Sequence, residues 1–256
     1  MSNKNTLNNI PTEVIQEIYQ SIAQGVGEDY QEAEAHLDLE TRISKPLLIW
    51  DLINRNLIRS FSEKDVLYSR SKRGMWEVLL LFEKKSNLLL SFMNDNRFKA
   101  LKKGSTRKRP KYMDALLLTN RKLQSPVKQQ RLFIVRETPD ERKLLSSLLN
   151  SLCKNFQEHV LGDVKNHVLV VFSHNHGLIT SLKAYMLDAN LDEVESENWF
   201  DRAKPIMPNI IEKTSDIEVK IPSILKLTTK AANRIKKKGI VSLKTFDESE
   251  EDGKTD

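Results

Sequence analysis

Residues 75–93 read MWEVLLLFEKKSNLLLSFM. Two apolar runs, Met75 to Phe82 and Leu88 to Met93, flank the polar turn Glu83 to Asn87. A third run, Val66-Leu67-Tyr68, comes before them, beyond Lys72-Arg73-Gly74. Short runs with β-branched or aromatic content, divided by turn residues, predict a three-stranded antiparallel meander.

Upstream the period changes. Val14, Ile15, Ile18, Ile22 and Val26 recur every three to four residues and mark one face of a helix. Pro11 suits its first turn, where no N–H is needed, and Gly25 and Gly27 are expected to end it. Residues before Ile10 are expected to be disordered, and Glu28 to Thr41 reads as helix or loop. Pro46 opens a second helix whose stripe is Leu48, Ile49, Leu52, Ile53, Leu57 and Phe61, with Asp51 and Arg55 spaced to pair.

Downstream, Gly104 to Lys111 reads as a mobile loop, Tyr112 to Leu118 as a short helix and Leu132 to Val135 as a strand. Thr138-Pro139-Asp140-Glu141 has the form of a capping box with proline at the first helical position. Leu145, Leu148, Leu149, Leu152 and Phe156 continue that helix. Val168 to Phe172, Leu178 to Leu187 and Glu193 to Trp199 predict a second meander, with turns at Asn175-His176-Gly177 and Asp188 to Asp192. Ile224 to Lys244 reads as a basic helix. The last ten residues hold six acids and one lysine, an unfolded tail.

The expected fold is therefore α+β: two helix-plus-antiparallel-meander units joined by a basic loop segment, with a disordered acidic C-terminal tail. The expected divisions are 10–130, 131–208 and 209–256.

Charge points toward function. From Arg97 to Arg131 there are twelve Lys or Arg and one acid, Asp114, a net +11 over 35 residues in a chain whose whole net charge is +6. Ordinary solvated faces mix both signs, so this excess points to a polyanion or an acidic partner, with a solvated surface loop that has no specific partner as the alternative. Lys102, Lys103, Arg107, Lys108, Arg109 and Lys111 are the candidate phosphate contacts, with Lys72 and Arg73 at the first hairpin tip as a second contact. Phe98 and Tyr112 flank the stretch and are candidates to stack on unpaired bases.

Other chemistry is poorly served. The chain has 256 residues, eight glycines and no phosphate-binding glycine loop. The single cysteine, Cys153, fits a reducing compartment. The first residues lack the apolar core of a signal peptide, and no apolar run approaches a membrane span, so a cytoplasmic protein is expected. His159, His167, His174 and His176 fall within eighteen residues but match no zinc spacing, so no metal or other cofactor is expected. The order helix, three strands, helix, strand is that of the restriction-endonuclease-like nuclease core. Glu83-Lys84-Lys85 and Asp65 supply letters for its site, yet the third run, Leu88 to Met93, holds no acid.

Trp50-Asp51-Leu52-Ile53-Asn54, Arg73-Gly74-Met75-Trp76, Ser91-Phe92-Met93 with Arg97-Phe98, Tyr112-Met113-Asp114-Ala115-Leu116, and Leu187-Asp188 followed by Trp199 resemble, as an ordered set, an uncharacterised bacterial family of unknown function. The likeness spans roughly Pro11 to Ile206, with the segment beyond Pro208 outside it. It implies a bacterial or phage-associated cytoplasmic protein and supplies no activity. The leading expectation is a non-enzymatic nucleic-acid-binding protein, for DNA or RNA. The alternatives are an inhibitor- or antitoxin-like module that binds an acidic protein, and a nuclease of the restriction-endonuclease type or its inactive relative.

Overall fold

The computed structural model describes residues 6–37, 43–61, 65–73, 76–103, 111–123, 138–156 and 160–203. Their elements are α1 (Thr12–Val26), α2 (Glu28–Leu37), α3 (Lys45–Phe61), β1 (Val66–Arg73), β2 (Trp76–Glu83), β3 (Leu88–Asn94), α4 (Asp95–Lys103), α5 (Lys111–Leu117), α6 (Pro139–Leu152), α7 (Val160–Asp163), β4 (Asn166–Asn175), β5 (Leu178–Leu187), β6 (Glu193–Asn198) and α8 (Trp199–Ala203). The expected strand Leu132 to Val135, the basic helix Ile224 to Lys244 and the acidic tail lie outside the described residues.

Both meanders form, and they join into one six-stranded sheet of order β1-β2-β3-β4-β5-β6. All neighbours are antiparallel except the central pair. There β3 and β4 run parallel, from Leu88 opposite Asn166 to Asn94 opposite Phe172. The six strands lie within one compact unit, Met1–Met207. A parallel pair cannot be closed by a hairpin, so residues 95–165 form the crossover and place α4, α5 and α6 on one face. In the nuclease-like order the fourth strand was expected at Leu132 to Val135; the strand that pairs with β3 is instead β4.

The sheet is covered on both faces. Leu79, Leu81, Leu88, Leu90, Val168, Val170 and Phe172 turn toward α1 and α3. Leu80, Phe82, Leu89, Met93, Leu169 and Val171 turn toward α4, α5 and α6. This explains why Leu88-Leu89-Leu90 and Val168 to Phe172 read as unbroken apolar runs: side chains on both faces there meet a helical layer.

Two local details differ from expectation, and one open choice is resolved. Gly25 lies within α1, and a Cβ there would sit 2.8 Å from Ile53 Cγ1 and 2.9 Å from Ile53 N, so its hydrogen lets α3 approach. Glu28 to Leu37 is helical, as α2. Leu7, in the segment expected to be disordered, is fully buried in a short 3-10 turn, and Thr6 N–H and Leu7 N–H donate to the Glu195 carboxylate at 3.1 and 2.8 Å.

The capping box of α6 forms on both sides. Glu141 N–H donates to Thr138 Oγ1 at 3.2 Å, and Thr138 N–H to Glu141 Oε2 at 2.9 Å. The far end of α6 is held by β1. Ser69 Oγ donates to the Leu152 carbonyl at 2.7 Å, and Ser71 Oγ reaches the Ser151 and Leu152 carbonyls at 3.1 Å. Two buried hydroxyls thereby satisfy carbonyls that a helix end leaves open.

Candidate nucleic-acid interface

The basic stretch begins on a helix that the charge pattern conceals. Asn94 Oδ1 accepts the Asn96 N–H at 2.9 Å and starts α4. Asp95 stands in its first turn and Lys102 and Lys103 in its last, the arrangement the helix dipole favours. Lys99 pairs with Asp95 at 2.6 Å. Only Phe98 and Leu101 anchor α4 to the sheet, leaving Asn96, Arg97, Lys99, Ala100, Lys102 and Lys103 exposed.

Phe98 is buried, its ring 4.9 Å from that of Tyr185 on β5, so it is a core residue and offers no face to a base. The Lys102 ammonium lies 4.8 Å from the Phe98 ring centre and 5.6 Å from that of Tyr185. The aliphatic stem of Lys102 follows the helix, and its charge stays at the surface over the two rings. Tyr112, expected to stack on bases, is half-buried where the two apolar clusters of this face meet. Helical spacing decides both cases: Phe98 with Leu101, and Tyr112 with Ala115 and Leu116, form inward stripes that neighbouring cations do not override.

After α5 a short 3-10 turn presents Asn120 to the sheet. Fully buried, it donates to the carbonyls of His167 at 2.8 Å and Leu187 at 2.9 Å, and accepts the His167 N–H at 2.7 Å. The exposed Arg121 and Lys122 follow directly. Tyr185, which Lys102 covers, and Leu187, which Asn120 grips, are two residues apart on β5, about 7 Å. The end of α4 and the Arg121-Lys122 pair therefore flank one stretch of sheet.

Lys72 lies elsewhere. It is exposed on β1, on the face of α1 and α3, whereas Lys102 sits over β5 on the opposite face. Four strand spacings separate them, roughly 19 Å. The side chains of Arg73 and Lys111, and all of Arg107, Lys108 and Arg109, lie outside the described residues.

Of the nuclease letters, Asp65 and Lys84 lie side by side, the Lys84 N–H donating to the Asp65 carbonyl at 3.3 Å, whereas the Glu83 carboxylate is taken up by the turn. Glu83 ends β2, is buried, and its carboxylate accepts the N–H groups of Lys85 at 3.0 Å and Ser86 at 2.6 Å together with the Ser86 hydroxyl. It closes the β2–β3 turn. Among the described residues no group of three His, Cys, Asp or Glu is placed to hold a metal ion. His176 occupies the β4–β5 turn at φ 47°, followed by Gly177 at φ 81°, and His174 stacks on Phe172. His167 is buried with Nε2 2.8 Å from Ser91 Oγ, and burial pushes its pKa down to about 3.

A family of unknown function, DUF5986, matches residues 7–243. The chain belongs to that family. The match extends well past Ile206, so the basic segment of Ile224 to Lys244, expected to lie outside the likeness, falls almost wholly within the family; the first six residues and the acidic end are left out. No curated protein and no solved structure matches the chain significantly. Among the described residues no helix is long and apolar enough to cross a membrane.

Proposed function

We propose that this DUF5986 protein is a non-enzymatic nucleic-acid-binding protein of a bacterial or phage-associated system, acting in the cytoplasm. The observation that carries the reading is the exposure of every described cation of the basic stretch: Arg97, Lys99, Lys102, Lys103, Arg121 and Lys122. Of these, Lys99 is engaged by Asp95 across an exposed pair, a link too weak to keep it from a phosphate. Among the described residues the surface supplies cations and no group placed to hold a metal ion. Such a surface neutralises phosphates and releases counterions, which gives affinity without chemistry.

The test is a titration of labelled DNA and RNA at several salt concentrations. Six phosphate contacts on duplex DNA correspond to a log–log slope of about −5. Reversing Arg107, Lys108 and Arg109 together to Glu is expected to lower both affinity and slope. Unchanged binding in that variant rules out Arg107, Lys108 and Arg109 as contacts, and a stoichiometric protein partner in place of nucleic acid on purification replaces the reading with an acidic-protein partner.

A further inference from the structure

One face of β1 carries a second feature. Val66, Tyr68, Arg70 and Lys72 alternate onto the side that faces α3, spaced about 6.7 Å apart. Their exposure climbs along the strand. Val66 is 3 % exposed, sealed beneath the α3 end at Phe61, and Tyr68 is 40 % exposed. The Arg70 side chain is 60 % exposed, and Lys72 is exposed. Cover is complete at the first residue of β1 and thins as the strand runs toward the hairpin tip.

This row is an aromatic ring followed by two cations, on an edge strand. Among the described residues the Tyr68 hydroxyl and the Lys72 ammonium have no partner. The Arg70 guanidinium meets Glu77, at 3.5 Å across an exposed pair. Glu77 is the acid of β2 beside the two cations, opposite Lys72. A duplex buries the faces of its bases, whereas a single strand offers them, and an exposed ring beside evenly spaced cations suits the second.

Resting on the nucleic-acid reading above, we infer that Tyr68, Arg70 and Lys72 form a binding surface for single-stranded nucleic acid, separate from the α4 surface. Tyr68 stacks on an unpaired base while Arg70 and Lys72 neutralise the flanking phosphates. Glu77 opposes the ligand and competes for Arg70.

The experiment measures binding of the full chain to a fluorescent oligothymidine, to a duplex of equal length and to heparin. Thermal melts accompany each variant to show that it folds. Tyr68→Ala is expected to weaken oligothymidine binding about tenfold or more and to leave heparin unchanged, with Tyr68→Phe retaining affinity. Lys72→Gln is expected to reduce the single-strand salt slope by about 0.7. Glu77→Gln is expected to tighten oligothymidine binding several-fold. If Tyr68→Ala and Lys72→Gln bind oligothymidine as the parent does while the Arg107, Lys108, Arg109 reversal abolishes binding, this inference fails and the proposed function stands. Equal losses for oligothymidine and heparin in Tyr68→Ala overturn the stacking role. A parent that ignores all three probes in dilute buffer overturns both proposals.

Discussion

The side chain of Asn120 grips both backbone polar groups of His167, donating to its carbonyl at 2.8 Å and accepting its N–H at 2.7 Å. The amide imitates a neighbouring peptide and adds a third bond, to the Leu187 carbonyl at 2.9 Å. It thereby pins the end of the α5 segment to the start of β4 and the end of β5. Asn120→Ala leaves three buried backbone groups without that partner. A loss of about 3 kcal/mol follows, because unmade buried bonds cost their full desolvation. For a unit of this size that is a fall of roughly 6–12 °C in Tm. Asn120→Asp is expected to fold no better, since a carboxylate cannot donate to the two carbonyls. A melt within a degree of the parent for either variant would show that the grip carries no stability.

His167 beneath it makes stability depend on pH. Burial lowers its folded pKa from 6.5 to about 3, so the folded imidazole stays neutral where the unfolded one takes a proton. Between those values the unfolded chain binds more protons, and stability falls as pH falls. The contribution is whole above the unfolded value and is lost on descent toward pH 3, at up to about 1.4 kcal/mol per unit. Urea unfolding at about pH 7 and about pH 5.5 is expected to show a larger loss for the parent than for His167→Gln, by about 1.4 kcal/mol. Equal losses in the two proteins would mean that His167 titrates normally in the fold.

These two residues also mark where sequence reading stops. Both meanders were legible because apolar runs and turn residues are local signals, and the α6 capping box was legible because its four residues interact with one another. The parallel joint between β3 and β4 was not, since no local pattern encodes which strand will lie beside another across a crossover of residues 95–165. Asn120 and His167 reveal their bond only once that joint exists. At the candidate interface the cations were legible as charge. The helix beneath them was hidden by the same charge, although Phe98 and Leu101 at helical spacing, after an Asn-Asp start, were there to be read. Tyr68 was read as part of a strand, and only its exposure on the uncovered end of β1 separates it from the core.

Glycines in this chain are expected to respond with opposite signs. Gly25→Ala places a methyl against the Ile53 backbone nitrogen, which cannot rotate away as a side chain can. Overpacking of that kind costs about 1–3 kcal/mol, more than the gain in helix propensity of about 1 kcal/mol returns. At Gly162, in α7, an added Cβ meets nothing within 4 Å, so only the propensity gain remains. Thermal melts of Gly25→Ala and Gly162→Ala should therefore move down and up respectively. A rise for Gly25→Ala would mean that α1 and α3 can separate at little cost.

Glu83 decides between a turn residue and a metal ligand. Its carboxylate accepts two backbone N–H groups and the Ser86 hydroxyl, a set that suits a charged acceptor. In Glu83→Gln one oxygen becomes a donor facing donors, and about 1.5–3 kcal/mol of stability should go with the lost charge-assisted bonds. Manganese added to either protein is expected to leave its Tm where it was, because an oxygen already bonded to the turn must abandon those bonds to reach a cation. A manganese-dependent rise in the parent that Glu83→Gln lacks would instead show the carboxylate turning outward to hold the ion. The turn would then be the site's closed state, and nuclease chemistry would return to consideration despite the absence of acid and lysine from β3.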